Sequence, residues 1–251
     1  MTLENRVKKG IVQLALAIFG FPALLIFSIN AHGSTTPTEA EWLSWPDFCR
    51  AGYLSTDWSA GSQFQGRLPQ AELDRFRQNH EATIGIPGIH HFCVGMLYIN
   101  RAKSLPSGKA RNDNLDSAVR EIEYSFSRAA PTIPMYSLLT AYYGTAFHLQ
   151  GKRREAEAMW EKGISAKPKS RESYLAKAQV LIAEKKHREA LDVLLKYEKA
   201  KETDYADAEY FLGHVYFELK QYDKAREHAD KAYKLGYPFP GLRRKLERIG
   251  K

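Results

Sequence analysis

Apolar and polar positions in the second half of the chain follow helical spacing, and the helical pattern itself recurs. Residues 137–170, 171–205 and 206–239 can be set beneath one another so that Ala156, Ala190 and Ala225 share a column, 34 and 35 residues apart. Twelve residues before each alanine stands a small residue: Gly144, Ala178, Gly213. Three further on stands a bulky one: Phe147, Leu181, Tyr216. The columns predict a repeated helical unit in which small residues mark where helices touch and large ones fill the gap beside them.

The first unit reads Tyr143-Gly144 with Phe147, then Ala156, Trp160 and a terminating Pro168. The second has Tyr174, Ala178, Leu181, Ala190, Leu194 and Tyr197; the third has Leu212-Gly213, Tyr216, Ala225, Ala229, Ala232 and a late Pro238. In period and columns the chain resembles a tetratricopeptide repeat protein. It departs from the pattern where Thr140 and Glu209 hold the usual tryptophan slot and Glu202 stands in place of a proline. A degenerate unit lies upstream: His91, Val94-Gly95 and Tyr98 match a first helix, and residues 114–128 with Ala118 match its partner. Gly95 and Ala118 are 23 residues apart instead of 12. The extra residues, 103–113, carry Pro106, Gly108 and three basic side chains, and read as a mobile loop.

The resemblance implies an all-α solenoid of helix pairs. The expected organisation is a leader over 1–33, an aromatic-rich segment over 34–88 and the degenerate unit with its loop over 89–136. Three regular units over 137–239 and a basic cap over 240–251 complete it. The leader begins with Arg6, Lys8 and Lys9, followed by an apolar run over 11–29. Basic residues before an apolar stretch predict export across a membrane. Nineteen residues could span a bilayer of ~30 Å, whereas Ala31-His32-Gly33 before Ser34 would suit cleavage. Both fates place the repeats in the periplasm, either held at the inner membrane or soluble. Export makes nucleic acid an unsuitable partner for the net charge of +8. Arg243, Arg244, Lys245, Arg248 and Lys251 concentrate that charge in a solvated cap or a contact with anionic lipid or an acidic partner.

Cys49 and Cys93 are the two cysteines, and an oxidising compartment predicts that they pair. Trp42, Trp45 and Trp58 cluster with Phe48, Tyr53 and Phe64 as a pad for the open end of the array or as a binding surface. Thr36, Pro37 and Glu39 read as a helix start, and a second short helix is expected over 70–79.

His90, His91 and Cys93 share one turn and invite a metal or nucleophile reading. No paired spacing typical of zinc ligands accompanies them, and His91 falls in the tryptophan slot. No cofactor is expected. In the family the first helices line a groove. Carrying those positions over gives Phe92, Met96 and Ile99, then Ala141, Thr145 and His148, then Leu175, Gln179 and Ile182, and last Tyr210, His214 and Phe217. The sequence is therefore read as a non-enzymatic scaffold for an envelope protein or peptide, aiding assembly or maturation of a complex. Two alternatives stay open: a structural subunit whose groove is filled by its own aromatic segment, and an enzyme using the 90–93 turn.

Overall fold

The computed structural model describes residues 35–250, so the apolar run over 11–29 and the cleavage position before Ser34 lie outside the described residues. Three helices come first: α1 (Glu39–Ser44), α2 (Asp47–Leu54) and α3 (Gln70–Thr83). The first pair is α4 (Ile89–Ser104) with α5 (Lys109–Phe126), and the second is α6 (Tyr136–Leu149) with α7 (Arg153–Ala166). The third is α8 (Glu172–Ala183) with α9 (His187–Ala200), and the fourth α10 (Ala206–Glu218) with α11 (Tyr222–Lys234). A last helix, α12 (Gly241–Arg248), closes the array. Among the described residues there is no strand, and each first helix also packs on the first helix of the next pair. The architecture is the all-α solenoid that the resemblance implies.

The pairs close through the small-residue columns. Ala118, Ala156, Ala190 and Ala225 are fully buried. A Cβ on Gly95 would meet Ile122 at 2.5 Å, and one on Gly213 would meet the Ala225 carbonyl at 3.1 Å. The turns inside the three regular pairs are the same turn made three times. Gly151, Lys185 and Lys220 have φ of +81°, +61° and +61°. The following amide then reaches back to the bulky column: Lys152 to Phe147 O, Lys186 to Leu181 O and Gln221 to Tyr216 O, at 2.8–2.9 Å. This six-to-one bond satisfies carbonyls the helix end would otherwise leave open.

The tryptophan slot is filled differently in each unit. His91 stacks on Tyr124 at 3.8 Å and bonds Glu121 at 2.7 Å. Thr140 fits because α7 comes in at Gly163, whose Cβ position lies 2.1 Å from the Thr140 and Ser173 hydroxyls. Tyr174 packs on Tyr197 at 5.5 Å. Glu209 is only 1% exposed, and is held by Lys201 at 2.9 Å and His228 at 2.7 Å. Burial alone would raise the Glu209 carboxyl, but the His228 and Lys201 hydrogen bonds outweigh it and hold the group at about 2.

A depressed folded-state value makes Glu209 stabilising above its unfolded value of about 4.5, and that stability drains as pH falls toward about 2. The fourth pair should therefore lose roughly 2–3 kcal/mol across that window. Between pH 6 and pH 3, urea melts should show the native chain losing about that much more stability than Glu209→Gln, since Glu41 and Glu218, also held low, contribute equally to both. Equal pH slopes in the two proteins would show the carboxylate is not responsible.

Two local features differ from the sequence reading. The first helix is capped by Thr38 and Glu41, not Thr36 and Glu39: the Thr38 amide donates to Glu41 Oε2 at 2.7 Å. Both registers offer threonine followed three residues on by glutamate. The later one also lets Glu41 take Arg101 Nε and Nη2 at 2.7 and 2.9 Å, tying α1 to α4. The inserted residues 103–113 do not form a long loop. Pro106 and Gly108 interrupt the helix only briefly, and α5 resumes at Lys109. Lys109 pairs with Asp113 at 2.7 Å, Asn114 donates to Ala110 O, and Arg111 donates to Ala102 O. The insertion thus lengthens the first pair instead of projecting from it. The third helix begins at Gln70 as expected but runs on to Thr83.

Candidate functional site

The carried-over groove positions fall into three rows across the first helices: Phe92, Ala141, Leu175, Tyr210; Met96, Thr145, Gln179, His214; and Ile99, His148, Ile182, Phe217. The chain covers both ends of this face itself. At the front, Phe92, Met96 and Ile99 are at most 2% exposed and share one core with Trp42, Trp45, Phe48, Tyr53 and Phe64. Trp42 stacks on Phe64 at 4.4 Å, and Cys49 joins Cys93, fixing α2 against α4. Trp58 stays outside this core and packs edge-on to His90 and His91.

At the other end Tyr237 stacks on Tyr210 at 4.0 Å. Lys245 from α12 lies 3.4 Å from His214 Nε2, bonds Glu218 at 2.8 Å and sits over the Phe217 ring. Burial, with the nearby Lys245 charge, pushes His214 down to about 4, so its imidazole is neutral near neutrality. Burial likewise raises the Tyr210 hydroxyl to about 12. These residues hold the cap, so Tyr210→Ala would report on cap attachment before it reported on any partner.

In the middle of the face Ala141, Thr145, Leu175 and Ile182 are buried, and Thr145 bonds its own helix at Ala141 O. Gln179 is 4% exposed, yet neither amide atom has a hydrogen-bond partner. An unpaired buried amide costs ~1–3 kcal/mol. Gln179→Met keeps the volume and removes the cost, and should raise the unfolding free energy by about 1 kcal/mol. A loss of stability in a thermal melt would mean that the amide is paired in solution.

His148 belongs elsewhere. It borders a cleft of ≈ 680 Å³ between the second and third pairs, with α7 on one side and α8 and α9 on the other. Val180, Leu181 and Val193 give it an apolar lining. Arg153 and Lys186 converge on Glu184 at 2.9 and 2.8 Å, and Lys177 bridges Glu157 and Glu161. Arg154, Glu189 and Asp192 also line the cleft, with no ion-pair partner among the described residues. Burial, reinforced by Arg153, holds His148 below the usual histidine value against the opposing pull of Glu184. Except for His148, no cleft residue was among the groove positions read from the sequence, and Trp160 and Leu181 were read there only as repeat columns. Charged residues on second helices read there as an ordinary solvated face, and no spacing rule separates a cleft wall from it.

The 90–93 turn has its sulfur and one of its imidazoles already engaged. The Cys93 sulfur is bonded to Cys49, and His91 Nδ1 is taken by Glu121. Burial and His91 push His90 down to about 4. Among the described residues no three His, Cys, Asp or Glu groups converge as a metal set, and no helix is long and apolar enough to cross a membrane.

Residues 150–232, from the turn before α7 into α11, match the family model described as anaphase-promoting complex, cyclosome, subunit 3, a tetratricopeptide-type repeat family. No curated protein and no solved structure matches the chain.

Proposed function

We propose that this chain, a tetratricopeptide-repeat protein and so a scaffold for protein partners, works without catalysis in the bacterial-type cell envelope, where it holds a segment of an envelope or secreted complex during assembly. The observation that carries the binding site is the open ≈ 680 Å³ cleft between the second and third pairs, set against a groove face closed at both ends by the chain's own residues. The cleft's size suits the side chains of a docked helix or extended segment. Its rim offers Arg154 to an acidic group and Glu189 with Asp192 to a basic one, which favours a segment of mixed charge. The basic and apolar residues of the leader support a periplasmic, membrane-held location.

Ala158 is exposed and lines the cleft without joining the core, so Ala158→Arg fills the site at little structural cost. Pull-down from detergent-solubilised envelopes should lose its partner with Ala158→Arg, while the thermal melt stays unchanged. Retention of every partner by that variant would remove the cleft from the binding surface. A phosphatase fusion after Lys251 that is inactive would remove the export reading.

A further inference from the structure

Between residues 231 and 251 the sequence carries seven Lys and Arg against one carboxylate, Glu247, and so holds six of the chain's eight net charges. Lys231 and Lys245 are neutralised by Glu227 and Glu218. Among the described residues Lys234, Arg243, Arg244 and Arg248 have no acidic partner. Leu242 and Leu246 turn α12 inward against Gly213, which leaves Arg244 and Arg248, one turn apart, on its outward face.

The same short stretch holds three of the six exposed large apolar side chains among the described residues: Leu235 at 47%, Phe239 at 45% and Ile249 at 41%. Phe239 is presented rather than loose. Pro238 and Pro240 restrict the chain on either side, Tyr237 is anchored on Tyr210, and the Tyr233 hydroxyl donates to Phe239 O at 3.1 Å. Arg243 lies over the Tyr233 ring at 4.1 Å, beside that anchor. Unpaired guanidinium groups alternating with exposed apolar side chains match an interface that is anionic at its surface and apolar just beneath. A soluble polyanion would use only the cations.

We propose that the C-terminal end of the array, Leu235 to Ile249, rests on an anionic phospholipid bilayer. Arg244 and Arg248 would meet lipid phosphates while Phe239, Leu235 and Ile249 enter the headgroup layer. The contact rests on the envelope reading above and adds a second attachment to the leader. It would fix the orientation of the cleft relative to the membrane.

Full-length protein in nanodiscs of phosphatidylcholine, alone or mixed with phosphatidylglycerol, tests it by amide hydrogen exchange. On anionic discs residues 235–250 should exchange at least about fivefold more slowly, a factor matching roughly one cation at the surface. Half-molar salt and Arg244→Glu with Arg248→Glu should each remove the protection, and Phe239→Ser should weaken it. Equal exchange on both disc types, with the protein retained on them, would overturn the contact and leave the anchor standing. Failure to stay on either disc type would overturn both. Full protection of Phe239→Ser by soluble polyphosphate would also overturn it, in favour of a charge-only partner.

Discussion

Replacing Cys49 and Cys93 by alanine should destabilise the N-terminal third of the molecule by about 4 kcal/mol, lowering its melting temperature by ~10 °C. The bond closes a loop of 44 residues in sequence separation, which constrains the unfolded chain strongly. Both sulfurs are fully buried where α2 crosses α4, so the bond also holds the aromatic core in place. The Arg101–Glu41 pair and the Trp42–Phe64 stack remain when it is removed, so the loss should appear as easier opening of residues 35–88. Hydrogen exchange should therefore accelerate there, and across Phe92, Met96 and Ile99, while α8 to α11 keep their protection. A uniform acceleration through all four pairs would mean that the front segment and the repeats unfold as one unit. No change at all would mean that the bond does not hold the segment.

The repeat architecture was readable because it depends on residue size at fixed spacing. Gly95 and Gly213 close on the Ala118 and Ala225 carbonyls of the alanine column, Gly144 closes on Trp160 one turn further along, and the bulky column supplies the turn carbonyls. The degenerate unit was also readable, but its insertion was misjudged. Proline and glycine at 106 and 108 signalled a loop, whereas lysine, alanine and arginine beyond Gly108 favour helix and won. The cap shifted by two residues because local sequence allowed two equivalent boxes. The choice rests on Arg101, sixty residues away.

The state of the groove face was not readable for the same reason. Which first-helix residues stay open depends on where residues 35–88 and 237–250 travel, and no periodicity encodes that path. Glu209 shows the limit most clearly. In sequence it is a departure from the tryptophan slot; in the fold it is a buried ion held by Lys201 and His228 from two other segments.

Gly144→Val should cost at least about 3 kcal/mol, the upper end of the usual overpacking range. A Cβ there would lie 2.4 Å from Trp160 Nε1, 2.6 Å from Cδ1 and 2.9 Å from Cε2, so the whole edge of the indole is in the way. The ring has little room to yield. It is 3% exposed, packed among Ala141, Ala156 and Ala176, and its Nε1 donates to Ala141 O at 3.3 Å. Either α6 and α7 move apart or the tryptophan gives up that bond, and the neighbouring cleft wall moves with it. Trp160→Leu alone should also destabilise, by leaving a cavity. Combined with Gly144→Val, however, it should recover part of the loss, because leucine vacates the volume the valine needs. Chemical denaturation of the two single variants and the double variant measures this coupling. Strict additivity would show that the tryptophan is not what requires glycine at position 144.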